Sequence, residues 1–240
     1  MKNKDSKPLI IAVETSGRHG SVALATGEEL LAQKDFSQQM RHSSELLPAI
    51  EKLLERFGKK SSQIQHVYLS IGPGSFTGLR IAVTFAKTLA MADSVKIVTV
   101  NTSDVIFANV QEHSSELKCD RFATILDAKR GQYFIAAFTR FDSGCKKILS
   151  DCMMNAEQIV EGFADTKRST ALLGEGLVYH ADKFKTNGII ITDQKYWWPA
   201  AANVHRLGWE KAIKGEFTNA AELQPLYLRQ PEFGISPMQK

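Results

Sequence analysis

The sequence predicts a two-lobed α/β fold in which each lobe holds a mixed sheet with an antiparallel meander and flanking helices. Short apolar runs bounded by turn residues alternate with segments of helical periodicity, which favours the α/β class. The same order, a meander followed by helices, recurs in the second half, and a length of 240 residues suits two small lobes. We therefore place an N-terminal lobe in residues 1–105 and a C-terminal lobe in residues 106–240, with a helix near 203–214 packing back across the boundary.

The first lobe opens with three short strands. Residues 9–13 are a continuous apolar run, as expected of a buried central strand, and strands at 21–25 and 30–36 follow after tight turns. Strands joined by turns this short must be antiparallel neighbours. A helix is predicted at 43–57, where apolar residues recur at intervals of three and four. Pro48 fits this helix only in its first turn, where the missing N–H group costs nothing.

Strand–helix–strand units follow, and they require right-handed crossovers between parallel strands. The first lobe continues with a strand at 66–71, a Gly-rich turn at 72–78, a helix at 79–92, a strand at 96–100 and a helix capped by Asn101 or Thr102. The second lobe repeats the theme more loosely, with strands at 122–126, 133–138, 147–149 and 171–173 and a helix at 157–163.

Composition describes an ordinary globular protein, with 43% apolar and 23% charged residues. The net charge of +4, without a run of like charges, permits contact with RNA but does not argue for it. Cys119, Cys145 and Cys152 lack C-x-x-C spacing and indicate reduced thiols, which predicts a cytoplasmic protein. The apolar run from Leu9 stops at Val13, too short for a secretory or membrane segment.

The Gly-rich turn at 72–78 has two interpretations. Backbone N–H groups at the start of a helix can bind phosphate. The Walker pattern fails, because Leu79 and Arg80 follow Gly78, and the glycines are spaced one residue too wide for a dinucleotide fingerprint. A purely structural turn is the favoured alternative.

The predicted second helix has an unusually wide apolar arc, about 200° around the helix axis. Either the first helix covers the surplus, or another subunit does, and the sequence leaves both open. Small residues would allow a close helix approach. The side chains predicted to face a partner are Leu46, Leu47, Ile50, Leu53, Leu79, Ala82, Val83, Ala86 and Ala90.

Signals for catalysis and metal binding are weak. No two of the six histidines have i, i+3 or i, i+4 spacing, and none stands beside cysteines at ligand spacing, so we expect no metal site. No G-x-S-x-G elbow occurs, and Ser16, Ser75 and Cys119 fit a turn, a cap and a core thiol. Asp127 ends a predicted strand and could face a cleft.

Several segments resemble the TsaB (YeaZ) family. The most specific is 71–81 (IGPGSFTGLRI), while 12–16, 42–48, 127–133 and 225–229 resemble other segments of that family in order along the chain. The matched turn comprises Gly72, Pro73, Gly74, Ser75, Phe76, Thr77, Gly78 and Arg80.

This resemblance implies an actin/Hsp70/sugar-kinase-like (ribonuclease H-like) fold and a role in forming N6-threonylcarbamoyladenosine at position 37 of tRNAs that read codons beginning with A. In that system a TsaD-type subunit holds the metal and transfers the threonylcarbamoyl group, a TsaE-type ATPase joins, and TsaB-type proteins act as scaffolds that dimerise through their first two helices. The resemblance therefore implies a chain without catalytic residues or a cofactor of its own, with ATP and metal on the partner subunits. It implies a homodimer when free and at most indirect or weak contact with tRNA.

Two departures from actin-like ATPases favour a noncatalytic subunit. Glu14 stands where those proteins usually have Asp, and the segment from Asp127 to Gly131 lacks the paired glycines of a nucleotide-binding lobe. Glu14, Thr15, Ser16 and Asp127 would then mark a degenerate nucleotide site. The alternatives are a small-molecule kinase or ATPase of the same superfamily and, second, a peptidase-like protein.

Overall fold

The structure is a computed structural model that describes residues 7–111, 117, 119–141 and 144–228. The strands are β1 (Leu9–Glu14), β2 (Ser21–Thr26), β3 (Glu29–Asp35), β4 (Ile64–Ser70), β5 (Lys96–Val100), β6 (Arg121–Asp127), β7 (Gln132–Phe141), β8 (Gly144–Asn155), β9 (Thr170–Leu173) and β10 (Ile189–Ile191). The α-helices are α1 (His42–Arg56), α2 (Phe76–Asp93), α3 (Thr102–Gln111), α4 (Ala156–Phe163) and α5 (Ala201–Ala212). Short 3₁₀ turns lie at Ser61–Gln63, Glu175–Leu177, Ala181–Phe184 and Gln194–Tyr196.

Two five-stranded sheets share one topology. The first has the order β3-β2-β1-β4-β5 and the second the order β10-β9-β6-β7-β8. In each, an antiparallel meander of three strands continues through its first strand into two parallel strands. The predicted two-lobed α/β class is confirmed, and the repeat makes β6 the counterpart of β1. Glu14 and Asp127 therefore end equivalent strands.

Helices cover both faces of the first sheet. Alternate residues of β1 point to opposite faces, so Ile11 packs with α1 and α2 while Ile10 packs with α5. Helix α5, which follows the second sheet in sequence, contacts β1, β2, β4 and β5 of the first. The sheets fall on either side of residue 106, but α3 runs through that position, so the lobe boundary stays a prediction.

Two local predictions were wrong. Helix α2 begins at Phe76 rather than Leu79, because the Ser75 hydroxyl accepts a hydrogen bond from the Gly78 N–H and so caps the helix three residues earlier. Pro48 lies in the second turn of α1 rather than the first. Its ring faces solvent, so water can satisfy the Ser44 carbonyl that loses its helical partner.

Two further strands depart from the sequence-based expectation. Strand β8 runs over twelve residues, where the sequence indicated only 147–149. Strand β10 has three residues, too few to show a periodicity, and was not predicted. No helix among the described residues is both long and apolar enough to span a bilayer.

Candidate functional site

A cleft of about 560 Å³ lies between the lobes. The first lobe contributes the loop after β1 and the start of α2, and the second contributes the loop after β6 together with Glu175. Leu226, Tyr227 and Leu228 form one wall of the cleft. The cleft therefore brings together three of the segments that the sequence singled out, 71–81, 127–133 and 225–229, beside the loop that follows 12–16. The last motif residue, Arg229, lies outside the described residues.

Glu14 is sealed beneath this cleft. Its side chain is fully buried, and its carboxylate accepts hydrogen bonds from the N–H (2.6 Å) and hydroxyl (2.5 Å) of Ser16 and from the hydroxyl of Ser70. Burial raises the pKa of Glu14, although these hydrogen bonds oppose the shift. A carboxylate enclosed in this way is not presented to a metal ion or a phosphate in the cleft.

The Gly-rich turn packs directly against the end of β1. The Ser75 N–H donates to the Ser16 carbonyl at 2.7 Å, and the Thr15 hydroxyl donates to the Gly78 carbonyl at 2.8 Å. A Cβ atom on Gly78 would lie 1.9 Å from the Thr15 carbonyl oxygen, and one on Gly74 would lie 2.3 Å from that of Ser16. These two glycines are required for close backbone contact, which favours the structural interpretation of the turn.

The far side of the turn is enclosed as well. The Gly72 carbonyl accepts from the Thr102 N–H at 2.8 Å, and the Ile71 carbonyl accepts from the Leu226 N–H at 2.7 Å. Pro73 is buried at the centre, whereas Phe76 and Thr77 emerge on the surface. The turn thus joins β1, α3 and the C-terminal segment.

Asp127, the counterpart of Glu14, is held by its own loop. Its carboxylate accepts from the Lys129 N–H at 2.8 Å and pairs with the Lys129 ammonium at 2.5 Å. Burial alone would raise the pKa of Asp127, but the hydrogen bonds and charge of Lys129 outweigh it and lower the pKa. Lys129, Arg130 and Gly131 all have positive φ, which curls this loop back onto the carboxylate.

Glu175 joins the two lobes, and sequence reasoning missed it. Its carboxylate accepts from the Arg18 N–H at 2.8 Å, and the Arg18 guanidinium stacks on the Tyr179 ring. Burial raises the pKa of Glu175. The only local signal was its position between Gly174 and Gly176, which indicated a turn. Asp127 and Glu175 are the carboxylates that line the cleft among the described residues, and a backbone N–H engages each.

No group of three His, Cys, Asp or Glu side chains within the described ranges could hold a metal ion. Among the histidines, His42 uses Nε2–H to donate to the Gly17 carbonyl at 2.9 Å, which anchors the start of α1 to the loop after β1.

The predicted partner surface requires a correction. Seven of its nine side chains are buried within this chain, because α1 and α2 pack on the first sheet and on each other. Leu47 is 56% exposed and Ala90 is half-buried. The buried seven are Leu46, Ile50, Leu53, Leu79, Ala82, Val83 and Ala86.

What remains open on this side is a groove of about 500 Å³ between α1 and α2. Phe76, 45% exposed, and Leu47 are its exposed large apolar side chains, and half-buried Ile81 and Phe85 also line it. We call this the α1–α2 groove; its lining is Ser43, Leu46, Leu47, Phe76, Thr77, Arg80, Ile81, Thr84, Phe85 and Thr88.

Comparisons with known proteins agree with one another. The family model described as "TsaD: tRNA N6-adenosine threonylcarbamoyltransferase" matches residues 29–187. The chain is similar to the tRNA threonylcarbamoyladenosine biosynthesis protein TsaB of Bacillus subtilis, with 27% identity over 93% of this chain and 95% of that protein. It is also similar to the tRNA threonylcarbamoyladenosine biosynthesis protein TsaB of Escherichia coli, with 24% identity over 92% of this chain and 94% of that protein. The fold is similar to that of YeaZ from Pseudomonas aeruginosa, with a TM-score of 0.76 and 22% identity over 92% of this chain and all of the other.

Proposed function

The chain belongs to the TsaD-type threonylcarbamoyltransferase family, in its TsaB (YeaZ) branch, and from this we propose that it is a noncatalytic subunit that binds and activates a TsaD-type enzyme. The process is the biosynthesis of tRNA threonylcarbamoyladenosine, which the names of its relatives state. The actin/Hsp70/sugar-kinase-like fold expected from the sequence is the fold of this family.

One contrast carries the proposal: the carboxylates at the cleft are engaged, while the α1–α2 groove is uncovered. Glu14 is sealed under the cleft, and backbone N–H groups engage Asp127 and Glu175. The groove, in comparison, presents Leu47 and Phe76 to solvent on adjacent helices. An exposed apolar groove with a polar rim is typical of a surface that binds another protein.

In this proposal the groove between α1 and α2 receives a helix of the partner. Apolar burial contributes about 25 cal/mol per Å² before the costs of association are subtracted. Because a scaffold shifts its partner toward a competent conformation, its loss lowers the rate without its touching the reacting atoms. We also propose that the free protein is a homodimer in which a second copy of this chain occupies the same groove. The second copy and the TsaD-type partner would then compete for it.

The remaining parts of the proposal concern cofactors, partners and location. ATP and metal belong to the TsaD-type and TsaE-type subunits, and this chain binds neither. The weak net charge of +4 supports at most indirect contact with tRNA. Three free cysteines, one of them buried, support a reducing compartment, the cytoplasm. The kinase, ATPase and peptidase alternatives are less well supported, because the two carboxylates that line the cleft among the described residues, Asp127 and Glu175, already accept hydrogen bonds from backbone N–H groups.

A reconstituted modification assay tests this function. The TsaD-type and TsaE-type proteins of the same organism are combined with wild-type chain, with Leu47→Asp, or with Ile148→Asp, and each subunit is omitted in turn. Ile148 is a matched control, since it is 52% exposed but lies on β8 of the second lobe. We expect little transfer without this chain, a loss of at least tenfold with Leu47→Asp, and wild-type activity with Ile148→Asp. Transfer by this chain alone, or full activity in its absence, would contradict the proposal.

A further inference from the structure

Arg80 is the only charged residue among the ten that line the α1–α2 groove. It is exposed on α2, and its guanidinium lies 4.5 Å from the centre of the Phe76 ring. Within the described part of the chain, no hydrogen bond or ion pair engages this guanidinium. Arg80 therefore stands in the groove with its hydrogen-bonding capacity unused.

The surroundings of Arg80 hold it in place and do not neutralise it. Phe76, on which the guanidinium rests, packs in turn against the ring of Tyr227 at 5.2 Å. The first turn of α2 contains no acidic residue that could neutralise the charge of Arg80. The other polar groups of the groove are hydroxyls, on Ser43, Thr77, Thr84 and Thr88.

A partner that covers this groove also buries the positive charge of Arg80. An entirely apolar partner would remove Arg80 from water without an ion pair, which is unfavourable. A carboxylate matches the fork of N–H donors on a guanidinium and can accept two hydrogen bonds from it. The chemistry of the groove thus selects a helix with an apolar face and one acidic side chain opposite Arg80.

A second copy of this chain meets that requirement poorly. A two-fold symmetric contact uses the same patch on both copies. Since the lining carries one positive charge and no carboxylate, such a contact would enclose two cations. Self-association through the groove is therefore expected to be weaker than association with an acidic partner.

We propose that Arg80 is the polar anchor of the α1–α2 groove and that it binds a carboxylate on a helix of the TsaD-type partner. This rests on the proposed function, and it adds the residue that separates the catalytic partner from a second copy of this chain. Apolar contacts such as Leu47 supply affinity, while Arg80 fixes the register of the partner helix and excludes helices that lack the acid.

Affinity measurements with matched variants test this anchor. Calorimetry gives the Kd of the complex between this chain and the TsaD-type protein for wild type, Arg80→Met and Arg80→Lys. The control is Arg56→Met, because Arg56 also lies over a phenylalanine ring, that of Phe57, but outside the groove. Circular dichroism confirms that each variant is folded, and sedimentation gives the self-association of each.

The expected result is a Kd at least tenfold weaker for Arg80→Met, a smaller loss for Arg80→Lys, and less than a twofold change for Arg56→Met. Self-association should be unchanged or strengthened in Arg80→Met. If the Kd of Arg80→Met lies within twofold of the wild-type Kd while Leu47→Asp abolishes binding, the anchor role of Arg80 is overturned. The proposed function would then still stand. If Arg80→Met weakens only self-association, the anchor assignment is overturned as well. If Leu47→Asp itself binds normally, the groove is not the partner surface, and both fail.

Discussion

The carboxylate of Glu175 accepts a hydrogen bond from the N–H of Arg18, 2.8 Å away, and thereby ties the second lobe to the loop that follows β1. The same loop holds α1 and α2, since the Gly17 carbonyl accepts from His42 of α1 and the Ser16 carbonyl accepts from the N–H of Ser75, the N-cap residue of α2. One short loop thus links the cleft, the second lobe and the α1–α2 groove.

This link predicts slow exchange of one backbone amide. We expect Glu175→Ala to increase the hydrogen-exchange rate of the Arg18 amide at least tenfold, because the acceptor that protects it is removed. Tyr179→Phe is the control, since it removes only an exposed hydroxyl contact with the Arg18 guanidinium. Exchange measured by NMR gives both rates. An Arg18 amide that exchanges equally fast in wild type and Glu175→Ala would show that the bond does not protect it.

Glu14 predicts a pH dependence of stability. Burial raises its pKa in the folded state, so the folded chain binds this proton more tightly than the unfolded chain. The contribution of Glu14 to stability is therefore complete below the unfolded pKa of 4.5 and is lost as pH rises through the folded value. The carboxylate of Glu175, whose pKa is also raised by burial, faces the same region and adds in the same direction.

Glu14→Gln isolates this effect. The amide carries no charge, can accept from Ser16 and can donate to the Ser70 hydroxyl, so we expect the variant to gain stability relative to wild type as pH rises from 4.5 to 7.5. Urea unfolding at four pH values measures the difference in the free energy of unfolding. A difference that stays constant or shrinks over this range would contradict the assignment.

We predict that His66 titrates at a pH well below that of an ordinary histidine. Burial, together with the charge of Lys96, lowers its pKa to about 4. Because the unfolded chain binds this proton near pH 6.5 and the folded chain does not, the stability from neutral His66 is complete above pH 6.5 and is lost as pH falls toward 4. Ring resonances in NMR spectra, assigned with a His66→Gln variant, should show a midpoint near 4. A midpoint near 6.5 would contradict this prediction.

Gly78 in the Gly-rich turn and Gly162 in α4 predict opposite effects of replacing glycine by alanine. Gly78→Ala places a Cβ atom 1.9 Å from the Thr15 carbonyl oxygen, so the backbone must move, at a cost of about 1–3 kcal/mol in the free energy of unfolding. Gly162 lies in α4, and a Cβ atom there meets no atom within 4 Å. Gly162→Ala should therefore stabilise the protein by about 0.5–1 kcal/mol. Thermal or urea unfolding compares the two, and equal effects would argue against the packing role of Gly78.

Local sequence patterns determined much of this fold. The continuous apolar run at 9–13 and the short turns after it determined an antiparallel meander, because turns of that length permit no other pairing. The three-and-four periodicity of 43–57 determined α1 within one residue at each end. The motif at 71–81 pointed to the family, and close backbone contact explains its glycines at 74 and 78.

Tertiary structure decided which of these residues are available for function. The wide apolar arc of α2 is visible in the sequence, but its burial depends on elements distant along the chain, so Ala82 and Ala86 lie in the core rather than on a partner surface. Glu175 meets Arg18 across 157 positions, a pairing that no local pattern could contain. Arg80 likewise becomes an unpaired cation in a groove only once α1 packs beside α2, because charge complementarity is a property of surfaces and not of spacing along a helix.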